Sequence, residues 1–319
     1  MKISSILRSQ KLASATNIYV SLFFLSSLIL VSCSVTPVPS YEKGTTKIKV
    51  LVAENFLEDI TRNITGERAD TISLIPIGLD PHSFEPTPQD ISLINNSDVF
   101  IINGSGFEEW LNPILSNLPA DLKKIEASSG LSPRQPSANE IVEEIDPHFW
   151  LDPLKTVHYV ENIRDGMNSI DPAGKDIYTK NAAEYIDKLK ELDSWVIQQV
   201  NTIPLDRRIM VTNHESFGYY ADRYGLKIIG TILPGVTTGV TPSAQQMAEL
   251  VTLIKKNKVP AIFLETGTNP ELADQLASET GVKVIVDIYT HSITAPDGKA
   301  PTYIDMIKSN TVAIVNALK

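Results

Sequence analysis

The chain carries five histidines, His82, His148, His158, His214 and His291, and one cysteine, Cys33. Two of the histidines stand in the same tripeptide, Asp80-Pro81-His82 and Asp146-Pro147-His148. Proline fixes the backbone beside each imidazole, so a ring held there has little freedom left to lose when it takes up a ligand. Imidazole nitrogen suits borderline divalent cations. With no cysteine left over for a thiolate site, soft-metal chemistry must rest on histidine with carboxylate help. His214 follows RIMVTN and His291 follows VKVIVDIYT, runs that read as strands. Four of the five histidines therefore fall just beyond strands or in rigid loops ahead of helices, two in each half of the chain. Two lobes closing on one cation would produce that pattern. His158, inside LKTVHYVENI, falls in a predicted helix and is expected to be structural or solvated. The stretch His214-Glu215-Ser216-Phe217-Gly218 matches the zinc-peptidase pattern HExxH only in its first two positions. Gly218 stands where the second metal-binding histidine is required, which argues against a zinc hydrolase.

The elements that must position these rings alternate in a βαβ rhythm. Strand-like runs are KIKVLVA (47–53), TISLIPI (71–77), DVFIIN (98–103), RIMVTN (208–213), LKIIGTI (226–232), VPAIFLE (259–265) and VKVIVD (282–287). Between the third and fourth, Tyr178, Ala182, Tyr185, Leu189, Leu192, Val196 and Val200 recur in steps of three and four, the apolar stripe of a single long helix. The fold class expected is α/β: two lobes, each a mostly parallel sheet flanked by helices, joined by one long rigid helix, with a metal site in the cleft between them. The lobes are expected over 47–171 and 204–319, with the linking helix over 172–203. The alternative is an ordinary long helix inside one domain. Helix starts are expected at Thr87-Pro88, Asp152-Pro153 and Thr241-Pro242, each a capping side chain followed by proline at the first helical position. Thr87 and Asp90 add an approximate capping box. His82 thus lies on a short loop between a strand and a capped helix, where open parallel sheets bind ligands. The stretch 128–144 reads as a mobile loop.

The 319 residues are 42% apolar and 21% charged, an ordinary globular balance with enough length for two cores. Residues 1–33 differ: Lys2, Arg8 and Lys11 precede the apolar run 18–31, and no acidic residue occurs. That is the layout of a secretory signal, and the run is short for a transmembrane anchor, which needs about 20 apolar residues. Leu30-Val31-Ser32-Cys33 resembles a bacterial lipobox, which makes Cys33 the lipidation site and 34–46 a flexible tether. Removing 1–33 leaves 25 Lys+Arg against 38 Asp+Glu, about −13. Nucleic acid is therefore excluded as a natural partner.

The segments PIGLDPHSFEPTPQDI, DPHFWLDP, VTNHESFGYYADRYGL, TPSAQQMAELVTLIKKNKVPAIFLE and THSITAPDGKAPTYIDMIKSN occur in that order. Together they resemble the signatures of the metal-binding lipoproteins of bacterial zinc and manganese ABC importers, the cluster A-I group. The resemblance runs from about residue 47 to the end. It implies two α/β lobes bridged by a rigid helix and an ion held between them. Its first three ligand positions fall on His82, His148 and His214. The fourth, ordinarily an aspartate, falls on His291. Three arrangements are open there: His291 completes a four-histidine site, Asp287 supplies an oxygen, or three imidazoles bind with water. Imidazole donors favour Zn²⁺ over Mn²⁺, which prefers more carboxylate oxygen, so Zn²⁺ is expected and Mn²⁺ is the alternative. Asp80, Glu85, Asp146, Asp152, Glu215, Glu265 and Asp287 are candidates to orient the rings, with Asp152 better suited to capping. The His-rich acidic loop of some zinc-type members is missing between 128 and 146. The resemblance implies a monomeric, lipid-anchored, extracytoplasmic receptor that performs no catalysis and hands its ion to a membrane permease. A surface adhesin on the same scaffold is the third reading.

Overall fold

The computed structural model describes residues 40–41, 47–134 and 145–319. The expected signal segment with Cys33, nearly all of the tether 34–46, and residues 135–144 of the loop expected to be mobile lie outside the described residues.

The first lobe runs β1 (Ile48–Val52), α1 (Asn55–Thr65), β2 (Ala69–Ser73), α2 (Pro88–Asn95), β3 (Val99–Ile102) and β4 (Lys123–Glu126). Its sheet is entirely parallel, in the order β2-β1-β3-β4. β2 ends at Ser73, earlier than the apolar run 71–77 suggests, and this releases residues 74–86 as the loop that carries His82. β4, with sequence KKIE, is an edge strand that buries only Ile125. Charged residues suit an exposed edge and remove the alternation by which a strand is recognised, so the sequence reading missed it.

Two helices follow, α3 (Pro153–Ile170) and α4 (Lys175–Val200). The whole predicted stripe of α4, from Tyr178 to Val200, is buried. Its 26 residues span about 39 Å at 1.5 Å per residue. The second lobe runs β5 (Ile209–Thr212), α5 (Gly218–Tyr224), β6 (Lys227–Thr231), α6 (Ala244–Asn257), β7 (Ala261–Glu265), α7 (Glu271–Thr280), β8 (Lys283–Ile288) and α8 (Tyr303–Leu318). Its parallel order, β6-β5-β7-β8, repeats that of the first lobe. The caps at Thr87 and Asp152 form as expected, Thr87 within a full capping box. The cap expected at Thr241 is instead supplied by Ser243, which exchanges hydrogen bonds with Gln246. A side chain that can close a reciprocal box outcompetes one that only precedes a proline.

Alternation along the strands divides the core. Val50 and Val52 of β1 and Ala261 and Phe263 of β7 face one continuous cluster that runs through both lobes by way of Trp150, Tyr178, Leu189, Val196 and Tyr303. Leu51 faces a smaller core of the first lobe, and Ile262 and Leu264 face one of the second. The bridge between the lobes is broader than one helix, because α8 packs back onto both α4 and α1. The Tyr303 backbone N–H donates to Asp59 Oδ2 at 2.9 Å, and the Tyr303 hydroxyl donates to the Trp150 carbonyl at 2.6 Å. Among the described residues no helix is long and apolar enough to cross a membrane.

Candidate metal centre

The two Asp-Pro-His tripeptides share one kind of hydrogen bond, although His82 lies inside its turn and His148 just ahead of the turn Phe149–Leu151. In the turn Pro81–Ser83, Asp80 Oδ1 accepts the His82 backbone N–H at 3.0 Å, and Asp146 Oδ1 accepts the His148 backbone N–H at the same distance. The aspartate and proline together fix the backbone, and the imidazole projects from a closed turn. His214 lies two residues past β5, where its carbonyl accepts from the Thr212 hydroxyl and the Ser216 N–H. His291 lies three residues past β8. Trp150 ties these segments together across the lobes by donating its indole N–H to the Thr290 carbonyl at 2.7 Å.

The four rings meet. One nitrogen from each of His82, His148, His214 and His291 lies within 4.8 Å of the other three. His148 Nε2 is 3.1 Å from His291 Nε2 and 3.3 Å from His214 Nε2. Four nitrogens about 2.0–2.1 Å from a tetrahedral zinc ion would stand about 3.3–3.4 Å apart. His148 and His214 are fully buried and His291 is 7% exposed, while His82 is less enclosed, although its Nε2 is buried and has no hydrogen-bond partner. A cavity of about 570 Å³ adjoins the cluster, lined on this side by Asp80, Asn213, Glu265, Thr290, His291 and Ser292.

Carboxylates set the outer nitrogens. Asp146 Oδ1 lies 2.8 Å from His148 Nδ1, so that ring carries its proton outward and its Nε2 lone pair inward. Glu265 backs two rings, one of them through a hydroxyl: its Oε1 lies 2.8 Å from His214 Nδ1, while its Oε2 lies 3.5 Å from His291 Nδ1, whose hydrogen-bond partner is the Thr290 hydroxyl at 3.2 Å. The Ser216 hydroxyl donates to its Oε1 and the Thr290 hydroxyl to its Oε2. Burial, reinforced by the neighbouring rings, pushes His82 and His148 well below the ordinary imidazole range. Burial also brings His291 down to about 4, against the pull of Glu265. His214 moves the other way: burial is the largest single influence and opposes its charge, but the Glu265 carboxylate, aided by Asp80 and Asp146, more than offsets it and raises the pKa. For Glu265 itself burial is overcome by His214, and its carboxyl is held at about 2. Burial pushes Asp146 up to about 7. The cluster is thus buried, mostly neutral, rich in inward lone pairs and backed by an anion, features that suit a cation.

The remaining candidates separate cleanly. Asp80 holds the His82 turn and accepts from the Thr238 hydroxyl of the opposite lobe. Asp152 caps α3 and lies 3.4 Å from Arg223. Glu85 is exposed, and Glu215 is half-buried with its backbone N–H donating to Gly235. Asp287, the alternative fourth ligand, is exposed and pairs with Lys299 at 2.8 Å. It sits at φ 64° in an irregular stretch of β8, which turns it away from the rings. His158 lies outside the cluster, where its Nε2 contacts the Ser129 carbonyl at 2.7 Å. No sequence signal marks Phe107, whose ring meets those of His82, His148 and His291 at 4.9, 5.9 and 5.7 Å, and none marks Trp150, Ser216 or Thr290. An aromatic or a hydroxyl in a loop carries no local signal of a distant neighbour.

The family model described as zinc-uptake complex component A, periplasmic (ZnuA), matches residues 50–317. The chain is 33% identical over 294 residues to the manganese-binding lipoprotein MntA of Halalkalibacterium halodurans, covering 92% of this chain and 95% of that protein. It is 30% identical over 304 residues to the manganese ABC transporter substrate-binding lipoprotein PsaA of Streptococcus pneumoniae, covering 92% and 96%. Among solved structures, the periplasmic zinc binding protein TroA of Treponema pallidum superposes with a TM-score of 0.78 at 26% identity, covering 85% of this chain and 99% of that one.

Proposed function

Because the chain belongs to the periplasmic zinc-uptake component A family, we propose that it is an extracytoplasmic receptor that binds Zn²⁺ and delivers it to the permease of an ABC importer. The observation that carries this reading is the convergence of four imidazoles from both lobes on one point, buried and backed by Glu265. In this reading His82, His148, His214 and His291 are the ligands, and Asp146 and Glu265 fix their tautomers. Four nitrogen donors match the tetrahedral preference of zinc and offer no carboxylate oxygen to manganese. The lipid anchor is proposed at Cys33, in keeping with relatives named as lipoproteins. Capture and release involve no bond making in a substrate, so the site needs affinity and an exit rather than an open catalytic position.

A second reading, Mn²⁺ as cargo, is favoured by the names of the MntA and PsaA relatives. Calorimetric titration of the metal-free mature chain with each ion, followed by competition between them, tests the choice. Zinc is expected to bind one ion per chain and to displace manganese. Retention of manganese against equimolar zinc would reverse the assignment, and failure of both to bind would end the receptor reading.

A further inference from the structure

Behind the imidazoles on the first-lobe side lie two buried glutamates that hold no metal in this reading. Glu54 sits between β1 and α1, and Glu108 lies in the loop after β3; they are 0% and 5% exposed. Glu108 is occupied as an acceptor, Oε1 taking the Asn103 N–H at 2.5 Å and Oε2 the Gly104 N–H at 3.0 Å. No donor reaches either oxygen of Glu54. The two carboxyl groups face each other, and among the described residues neither forms an ion pair with a cation. Two adjacent carboxylates in a dry core cannot both stay ionised. The hydrogen-bond pattern says where the proton sits: a group accepting two backbone N–H bonds is the anion, and the one without donors is the acid. Burial raises both carboxyls, Glu108 to about 7 and Glu54, with the Glu108 charge beside it, well above the ordinary range, so Glu54 takes the proton first.

The anion has structural work to do. Gly104, Ser105 and Gly106 all have positive φ, at 85°, 55° and 83°, and a run of left-handed residues that includes a serine persists only if its surroundings hold it. Glu108 grips the start of this run, while Glu126 accepts the Ser105 N–H at 3.1 Å. The same segment ends in Phe107, whose ring walls three of the four imidazoles. It begins at Asn103, whose side-chain N–H donates to the Pro147 carbonyl, next to His148, at 3.2 Å.

We propose that Glu54 is a neutral carboxylic acid sharing its proton with the Glu108 carboxylate, and that this pair is a positioning device for the Asn103–Phe107 wall of the four-imidazole site. The inference rests on the ion-binding reading above and adds to it a proton that stays in the core at neutral pH.

Infrared difference spectra of the mature chain against Glu54→Gln at neutral pH test the proton directly. The parent is expected to show the carbonyl stretch of a protonated carboxyl that the variant lacks. Zn²⁺ affinity, measured by chelator competition, is expected to fall about tenfold in Glu54→Leu and to be restored to within about twofold in Glu54→Gln, whose amide can still donate to Glu108. Glu108→Gln cannot accept both N–H groups and is expected to weaken binding by about tenfold or more. If Glu108→Gln fails to fold, Phe107→Leu probes the same wall and is expected to bind severalfold more weakly. Absence of the protonated-carboxyl band, or parental affinity in both Glu54→Leu and Phe107→Leu, overturns the proposal. His148→Ala is the control: if it binds as tightly as the parent, the ligand assignment itself has failed, whereas loss of binding there with parental affinity in the wall variants sinks this inference alone.

Discussion

Replacing Glu265 with glutamine probes the one carboxylate that serves two rings. Its oxygens lie 2.8 Å from His214 Nδ1 and 3.5 Å from His291 Nδ1, in a residue 6% exposed and further held by Ser216 and Thr290. Glutamine keeps the shape but has one acceptor oxygen and no charge, so it cannot both face His214 Nδ1 and accept from the Thr290 hydroxyl that meets His291 Nδ1. Loss of an outer partner of a metal-ligating histidine costs about 10–100-fold in affinity. With two rings affected in a buried site the upper end is expected, about 100-fold in Zn²⁺ dissociation constant or about 2.7 kcal/mol. Asp146→Asn, which touches one ring, should cost about tenfold. The pH dependence supplies a second test. Glu265 raises the His214 pKa, so in the metal-free parent a proton competes with the ion below that raised value, and affinity should climb as pH rises through it. In Glu265→Gln the His214 pKa falls and the climb above the ordinary imidazole value should flatten. Chelator-competition titrations across that range measure both effects. An affinity within about threefold of the parent, or an unchanged slope, would refute the assignment of Glu265 as the shared partner.

Further outcomes follow from the same geometry. His82→Ala should abolish tight Zn²⁺ binding and leave far-ultraviolet circular dichroism unchanged, because the ring packs among the other imidazoles and Phe107 and belongs to none of the apolar cores. His158→Ala should shift affinity by less than about twofold, since its partner is the Ser129 carbonyl and not the cluster. The metal-free protein should lose stability on acidification. His82, His148 and His291 have folded pKa values below the unfolded value of about 6.5, so the unfolded chain binds more protons there. That stabilisation is complete above about pH 6.5 and is lost as pH falls toward 4, which denaturant melts at several pH values would reveal. Saturating zinc should raise the melting temperature, adding about 2.7 kcal/mol at a hundredfold excess over the dissociation constant, and a chelator should reverse it.

Much of this architecture was legible because it is written in short-range pattern. The period of two in KIKVLVA and VPAIFLE, the three-and-four spacing from Tyr178 to Val200, and the Thr87 and Asp152 caps each depend on residues a few positions apart. Where local signals were weak or in competition the reading slipped: β4 carries lysines on an open edge, β2 stops before its apolar run does, and Ser243 takes the cap from Thr241. The matching strand orders of the two sheets left no trace in the sequence strong enough to use as a repeat. Strand order depends on which hydrophobic faces meet, and many sequences satisfy the same faces.

By itself the amino-acid sequence determined the chemistry available to this protein: no thiol beyond Cys33, imidazoles fixed beside prolines and strand ends, and an acidic composition suited to a cation. It also determined the two α/β lobes and the helix between them, since periodicity and caps act locally. Only the tertiary structure decided which of the five histidines share a point, that His291 stands there while Asp287 turns out to Lys299, and that Glu265 backs two rings. Those outcomes depend on how the segment around His82 and the chain near His291, more than two hundred residues later, are brought together by a core shared between the lobes. At an irregularity in the β7–β8 pairing, Asp287 takes φ 64° and its side chain is exposed beside Lys299. Convergence of that kind is a property of packing, and no spacing along the chain encodes it.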